Sequence, residues 1–189
     1  MKVLLLTGAS QGARTLNRAL PKIASERPEA FRGWQILHLC GDDTIVTELT
    51  AAWKDAGVPA TVLGFLHDMG SAWGAADACV SRAGASSVAE VHANAVPTIF
   101  LPYPFHRDDH QRLNAQPLVD AGAAALVTDE IELERTAITL GDALGTLMQS
   151  QELRDSMRST LKQNAWIDAA DVIARRLLAA ASENTPRPA

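Results

Sequence analysis

Residues 78–101 read ACVSRAGASSVAEVHANAVPTIFL. The apolar run over residues 78–80 predicts a short buried strand, and residues 86–95 predict a helix that ends before Pro97. A second apolar run follows at once over residues 98–101. Two strands separated by a helix in this way are typical of a parallel pair, because parallel strands need a crossover connection.

The same alternation continues on both sides of this unit. We predict further strands over residues 2–6, 34–39, 61–65 and 123–127, and further helices over residues 13–25, 44–56, 67–75, 109–121, 131–148, 152–161 and 167–181. Pro21 is expected to bend or break the first helix. The pattern predicts an α/β fold, a Rossmann-like parallel six-stranded sheet with helices on both faces. We expect one domain over residues 1–181 and a flexible tail over residues 182–189.

The composition excludes several classes of protein. With 189 residues, of which 47% are hydrophobic and 21% charged, the chain can bury a core and does not resemble a disordered protein. The net charge is -5 and the basic residues form no run, so we expect no nucleic-acid partner. No apolar stretch is long enough to span a bilayer. Cys40 and Cys79 form no disulfide framework and no metal-site spacing, which fits a cytoplasmic protein with free thiols.

The turn after the first predicted strand reads TGASQGAR, residues 7–14. Small residues let the backbone approach a ligand, and the start of the next helix suits a phosphate. A purely structural turn is the alternative, and short-chain dehydrogenases have a similar one. Their pattern is incomplete here, because Arg14 replaces the last glycine and Tyr103 is followed four residues later by Arg107 instead of lysine. A dehydrogenase is therefore disfavoured.

The turn after the fourth predicted strand reads SRAGASS, residues 81–87. Two glycine-containing turns at helix N-termini, facing one crevice, suit a diphosphate better than a single phosphate. Glu90 lies three residues after Ser87, where its carboxylate can accept hydrogen bonds from both hydroxyls of a ribose. The alternatives are that Ser86 and Ser87 are ordinary N-caps and that Glu90 is only a favourable charge near a helix start.

A third polar segment follows the fifth predicted strand and includes DDHQRLNA, residues 108–115. His110, Gln111 and Asn114 share one flank of a predicted helix near its N-terminus, and neutral donors and acceptors suit the hydroxyls of a sugar. A zinc site at His106 and His110 is the alternative. It is disfavoured because Arg107 stands where a zinc-binding HExxH motif has glutamate, so we expect no metal.

Four motifs in this order resemble the C-terminal domain of the MurG family of glycosyltransferases, which transfer N-acetylglucosamine from a UDP donor. They are GASQGA over residues 8–13, FLHDM over residues 65–69, RAGA over residues 82–85 with Glu90, and DDHQ over residues 108–111 followed by Asn114 and Ala115. The resemblance extends over nearly the whole chain up to the final helices. It implies that the sheet is one half of a GT-B fold, the half that binds the sugar donor.

The resemblance also assigns substrate-binding roles to residues of this chain. It implies that the phosphates are faced by Ser10, Gln11 and Gly12, and that the diphosphate and sugar are lined by Gly84, Ala85, Ser86 and Ser87. It implies that Leu66 bonds the uracil with Phe65 and Met69 packed around it, and that Glu90 holds the ribose. N-acetylglucosamine would be bound by His110, Gln111 and Asn114. Arg82, beside the phosphate turn, is included among the binding residues with its role left open.

The implied reaction is an inverting, metal-independent transfer from UDP-N-acetylglucosamine to lipid I, which forms lipid II in peptidoglycan synthesis. No cofactor is expected, and the enzyme is expected to act in the cytoplasm at the inner face of the plasma membrane. The N-terminal acceptor domain, through which lipid I is bound, is expected to be absent from this chain. We therefore expect no catalytic residue here and no activity from this half alone.

Two other functions stay open for the same fold. The chain can be a standalone UDP-sugar-binding subunit of a split glycosyltransferase, or half of a UDP-N-acetylglucosamine epimerase, although the HQxxNA run over residues 110–115 favours the transferase. The sequence departs from the family at Ala9, where a second glycine is usual. The last predicted helix is expected to expose an apolar stripe that favours self-association.

Overall fold

A computed structural model describes residues 1–8, 13–105, 108–163 and 169–183. It contains a six-stranded sheet in the order β3-β2-β1-β4-β5-β6, in which all neighbouring strands are parallel. The strands are β1 (Lys2–Thr7), β2 (Trp34–Leu39), β3 (Ala60–Leu63), β4 (Ala78–Ser81), β5 (Thr98–Phe100) and β6 (Ala124–Leu126). The predicted six-stranded parallel sheet is confirmed.

Eight helices accompany the sheet within the described residues. They are α1 (Arg14–Glu26), α2 (Val46–Asp55), α3 (Met69–Ala75), α4 (Ala85–Asn94), α5 (His110–Asp120), α6 (Leu133–Gln149), α7 (Gln151–Gln163) and α8 (Ala169–Glu183). Two 3₁₀ turns, Pro28–Phe31 and Asp43–Ile45, precede β2 and α2. No helix of the described part of the chain has the length and apolarity needed to cross a membrane. The tail predicted over residues 182–189 does not begin at residue 182, because α8 runs to Glu183, and the residues beyond Glu183 lie outside the described residues.

Both faces of the sheet are covered, as the continuous apolar run of β1 requires. Leu4 and Leu6 pack into one core cluster with residues of α1, α2 and α6. Leu5, between them, points to the opposite face and packs into a second cluster with residues of α3, α4 and α5. Successive side chains of a strand alternate between faces, so a strand that is apolar at every position must have helices on both sides.

Of the two effects expected of Pro21, a bend or a break of the first helix, the break does not occur. Helix α1 runs from Arg14 to Glu26 with Pro21 inside it. Pro21 is buried together with Leu20 and Ile23. The packing of this apolar face against the sheet outweighs the one hydrogen bond that proline cannot donate.

The third strand ends earlier than predicted, and this shortening shapes the carboxyl edge of the sheet. Strand β3 stops at Leu63, and α3 begins at Met69. Asp68 is the N-cap of α3, and its side chain accepts a hydrogen bond from the Ser71 amide at 3.1 Å. Residues 64–68 therefore form a turn at the carboxyl edge. From there α3 leads the chain to β4, which pairs with β1 on the side opposite β2. This reversal of strand order creates a crevice between the carboxyl ends of β1 and β4, where ligands bind in open α/β sheets.

Candidate functional site

An open cleft of about 260 Å³ lies at this carboxyl edge. Its walls come from the ends of β1 and β2, from the turn after β3 and from the first turns of α4. The lining residues are Thr7, Leu39, Gly41, Gly64, Phe65, Leu66, Met69, Gly84, Ser86, Ser87 and Glu90. Two of the four sequence motifs, FLHDM and RAGA with Glu90, thus meet around one cavity, although the 12 residues 70–81 separate them in the chain.

The turn after β3 forms one end of the cleft and is held against the turn after β2. The Gly41 amide donates to the Gly64 carbonyl at 2.9 Å. A Cβ on Gly64 would overlap the side chain and backbone of Asp43, so this position requires glycine. The turn presents Phe65, 62% exposed, with its ring edge-on to His67 at a centroid distance of 4.9 Å. An exposed aromatic ring beside Leu66 and Met69 is suited to pack against a planar base.

The first turn of α4 forms the opposite wall. Its N-cap is Gly84, at φ -63° and ψ 150°, and the helix begins at Ala85. Ser86 and Ser87 are therefore inside the first turn, so the alternative that they are N-caps is wrong. Gly84 has no side chain with which to bond the free N–H groups of this turn. The amide groups and the positive end of the helix dipole can face an anion, while Ser86 is exposed and Ser87 is buried.

Glu90 lies one turn further along α4, where it is half-buried at the edge of the cleft. The indole Nε1–H of Trp73 donates to its Oε2 at 2.9 Å. Trp73 lies on α3 and is only 3% exposed. No motif of the sequence points to Trp73 as a site residue. A buried tryptophan needs a partner for its N–H, but the partner can be identified only from the packing of α3 against α4.

The three residues predicted to bind a sugar lie on α5 and do not line the cleft itself. Asn114 Nδ2 donates to the Ala83 carbonyl at 3.1 Å, which ties α5 to the turn before α4. Gln111 Oε1 accepts from the Tyr103 amide at 2.9 Å, so its Nε2 is oriented as a donor. Both amides are therefore held by backbone groups at the carboxyl edge of the sheet.

His110, at the start of α5, is paired with Asp108. Its Nδ1 lies 2.8 Å from Asp108 Oδ1, and this hydrogen bond lowers the pKa of the Asp108 carboxyl. The ionised carboxylate only accepts, so the Nδ1 of His110 carries the proton. In the neutral ring Nε2 is then the acceptor. The pair therefore sets the hydrogen-bonding polarity of the imidazole.

Arg82 differs from the sequence expectation, because it does not line the cleft. It is 6% exposed and its Nη1 donates to the Leu101 and Pro102 carbonyls at 2.9 and 3.0 Å. Its Nη2 lies 2.8 Å from Asp129 Oδ2, and the Asp129 side chain is completely buried. The guanidinium is thus used to join the turn after β4 to the segments after β5 and β6. We assign Arg82 a structural position rather than a place against a ligand.

Several predicted residues receive no structural description. Ser10, Gln11 and Gly12, from the first glycine-rich turn, lie outside the described residues, as do Ala9, His106 and Arg107. Ala85 is exposed at the start of α4 but does not line the cleft. Among the described residues no cluster of histidine, cysteine and acidic side chains could hold a metal ion. A site at His106 and His110 is not tested, because His106 lies outside the described residues.

A second cavity of about 480 Å³ lies between α1 and α2 and meets the first at Gly41. Its charged lining combines Arg14 and Arg18 with Asp42 and Glu48. Two cations and two anions leave no excess of positive charge for a diphosphate. The first cleft has Glu90 as its charged lining residue, so its suitability for an anion rests on the amides at the N-terminus of α4 and not on side-chain charge.

The fold defines the class of protein: a Rossmann-like α/β domain, one half of a GT-B glycosyltransferase fold. The model of the family described as "Glycosyltransferase family 28 C-terminal domain" matches residues 3–173. The chain belongs to this family.

Relatives and solved structures agree with this assignment. The chain is 39% identical over 168 residues to the UDP-N-acetylglucosamine--N-acetylmuramyl-(pentapeptide) pyrophosphoryl-undecaprenol N-acetylglucosamine transferase of Chromohalobacter salexigens, covering 89% of this chain and 44% of that protein. It is 35% identical over 176 residues to the enzyme of the same name from Geobacter sulfurreducens, covering 93% and 47%. The crystal structure of Acinetobacter baumannii MurG superposes with a TM-score of 0.77 at 32% identity, covering 91% and 50%.

A more distant neighbour shows the fold alone. The C-terminal CMP-Kdo binding domain of WaaA from Acinetobacter baumannii superposes with a TM-score of 0.62 at 11% identity, covering 86% of this chain and 88% of that one. By contrast, this chain spans about half the length of the transferases that it matches by sequence.

Proposed function

We propose that this chain is the donor-binding half of a transferase that moves N-acetylglucosamine from UDP-N-acetylglucosamine to lipid I, forming lipid II. The observation that carries the proposal is the meeting of Phe65, Leu66 and Met69 with the first turn of α4 and Glu90 around one cleft. An aromatic and aliphatic end, an anion-binding helix start and a carboxylate are the three features needed for a base, a diphosphate and a ribose.

The base occupies the end of the cleft beside the turn after β3. Phe65 and Met69 pack on its faces, and the backbone of Leu66 bonds its polar edge. The ribose lies between the base and the diphosphate, where Glu90 accepts from its two hydroxyls. The family relatives are named for a UDP-N-acetylglucosamine donor, which supports uracil as the base.

The diphosphate lies at the N-terminus of α4. During transfer the anomeric C–O bond breaks, and negative charge grows on the departing UDP. The amides of the first turn of α4 and the hydroxyls of Ser86 and Ser87 stabilise that charge without reorganising. We propose that these groups perform the role of a metal ion, so that transfer is metal-independent. The acceptor hydroxyl attacks the anomeric carbon from the face opposite to UDP and loses its proton to a base of the acceptor half, so this single displacement inverts the anomeric centre.

The N-acetylglucosamine lies toward α5. Gln111 offers its Nε2 donor, Asn114 its Oδ1 acceptor and His110 its Nε2 to the hydroxyls and acetamido group of the sugar. The attacking muramyl hydroxyl comes from lipid I, which a separate acceptor domain binds. We place this reaction at the cytoplasmic face of the plasma membrane.

Calorimetric titration of the chain, with and without EDTA, tests the proposal. We expect saturable binding of UDP-N-acetylglucosamine, weaker binding of UDP-glucose and no binding of NADH. Loss of binding on addition of EDTA would contradict the metal-independent site. Absence of UDP-N-acetylglucosamine binding, both for the chain alone and after addition of the N-terminal half of a relative, would overturn the donor-binding function.

A further inference from the structure

Trp73 joins the two helices that flank the proposed nucleoside site. It lies on α3, four residues after Met69, which lines the cleft. Its indole Nε1–H donates to Oε2 of Glu90 on α4 at 2.9 Å. The turn that precedes α3 forms the base end of the cleft, and α4 forms the phosphate end. This hydrogen bond therefore connects the two ends of the site through the carboxylate between them.

The geometry leaves Glu90 able to bind a second partner. An ionised carboxylate has about four acceptor positions, and the indole occupies one of them on Oε2. The other positions are sufficient for two hydroxyl donors. Because Trp73 is 3% exposed and packed in the core cluster of α3, α4 and α5, its N–H is a fixed donor rather than a mobile one. A half-buried glutamate held in this way loses less side-chain freedom when a ligand binds.

We infer that Trp73 is a positioning residue, which orients the Glu90 carboxylate so that it recognises a vicinal diol and selects ribose over 2′-deoxyribose. The inference rests on the proposed function, because it takes the diol to be that of a uridine nucleotide. The inference adds one residue to that function: Trp73 does not line the cleft, but it determines which nucleoside the site selects. The effect acts through Glu90, since the indole N–H is already used in the hydrogen bond.

The test compares the affinities of UDP and 2′-deoxy-UDP for the wild-type chain and for Trp73→Phe, which removes the N–H donor and keeps an aromatic ring. For the wild type we expect UDP to bind about 10- to 100-fold more tightly, which is the effect of charged hydrogen bonds. In Trp73→Phe we expect the UDP affinity to fall about 3- to 10-fold and the 2′-deoxy-UDP affinity to stay within about twofold. The ratio of the two affinities is the readout.

Glu90→Ala completes a double-mutant cycle. If Trp73 acts through Glu90, Trp73→Phe has no further effect on the ratio once the carboxylate is gone. Trp34→Phe is the control, because Trp34 is 2% exposed and lies at the start of β2, at the amino edge of the sheet and away from the cleft. We expect Trp34→Phe to lower the stability of the fold and to leave the ratio unchanged.

The outcomes separate this inference from the function on which it rests. A wild-type chain that binds UDP and 2′-deoxy-UDP equally shows that the diol is not recognised, and the proposed ribose site fails. A wild-type chain that discriminates, together with a Trp73→Phe variant that keeps the full ratio or weakens both ligands equally, overturns the positioning role alone. A Trp73→Phe effect that persists in the Glu90→Ala background also overturns it.

Discussion

His38 is the central residue of a buried hydrogen-bond chain under the carboxyl edge of the sheet. Its Nδ1 accepts from Trp53 Nε1 at 3.0 Å, so its Nε2 carries the proton toward Asn17 Oδ1 at 2.9 Å. Asn17 Nδ2 donates in turn to the Cys40 carbonyl at 3.0 Å. Cys40 lies between Leu39 and Gly41, which both line the cleft. The chain of bonds thus holds the backbone of one cleft wall in place.

The burial of His38 predicts how stability depends on pH. Burial lowers its pKa from 6.5 to about 4, so the folded state keeps the ring neutral while the unfolded state is protonated below 6.5. The stabilisation is complete above pH 6.5 and is lost as the pH falls toward 4. With 1.36 kcal/mol for each pKa unit, the loss is about 3 kcal/mol. Urea unfolding between pH 7.5 and pH 4 measures it.

Two variants identify the titrating group. His38→Gln should be less stable than the wild type at pH 7.5 but should show a flatter dependence between pH 6.5 and 4. His67→Gln removes an exposed histidine and should keep the wild-type slope. An unchanged slope in His38→Gln would assign the pH dependence to another group. The pKa values of the exposed carboxyls of Asp42, Asp68 and Asp108 lie below the ordinary value of 3.8. Their protonation therefore lowers stability at a lower pH than that of His38.

At the level of elements, one buried ion pair joins three segments behind the cleft. Arg82 follows β4, its carbonyl partners follow β5, and Asp129 follows β6. Asp129 also accepts from the Ile131 amide at 3.0 Å. These bonds fix the turn that leads into α4, so they position the first turn of α4 without contacting a ligand.

Removal of the cation should destabilise the fold strongly. Arg82→Met leaves the Asp129 carboxylate buried without its counter-ion, and we expect unfolding in urea to show a loss of about 3–5 kcal/mol. Asp142→Ala is the control, because Arg27 and Asp142 form an exposed pair at 2.5 Å that is worth about 1 kcal/mol or less. Equal losses of unfolding free energy in the two variants would show that the buried pair contributes no more to stability than the exposed pair. If Arg82→Met does not fold, Asp129→Asn tests the same bond more mildly.

For the whole molecule, α8 is the element that the rest of the described fold does not cover. Its apolar residues Ile173, Leu177 and Leu178 are 59%, 67% and 71% exposed. The expectation that the last helix exposes an apolar stripe is thereby confirmed. A stripe of this kind on a helix surface favours association with another apolar surface.

We predict that the 189-residue chain self-associates through this stripe. Sedimentation velocity should show an average mass that rises with concentration, and Leu177→Gln should lower it because it removes an apolar side chain from the contact. Ile138→Gln is the matched control, since Ile138 is a 57% exposed residue of α6. A monomeric profile at all concentrations, or equal effects of the two substitutions, would contradict the role of α8.

Much of the architecture follows from the order of the amino acids. Short apolar runs that alternate with helices predict a parallel sheet, because each crossover returns the chain to the same edge. That edge then collects the turns that follow the strands, so Glu90 is expected near a ligand, and the family resemblance adds Leu66; both line the cleft. These conclusions depend on local periodicity and on chain connectivity, which the order of residues contains.

Other features depend on contacts between residues that are distant in the chain. The sequence places Arg82 beside a phosphate turn, but in the folded chain its guanidinium is bound by carbonyls about 20 residues away and by Asp129. Likewise, Trp73 shows no sign of a role until α3 packs against α4 and brings its N–H to Glu90. The amino-acid order alone determined the type of fold and the turns of the site, because periodicity and connectivity are local. The tertiary structure decided which polar groups are neutralised within the protein and which face a ligand, because buried polar groups take whatever partners the packing brings within reach.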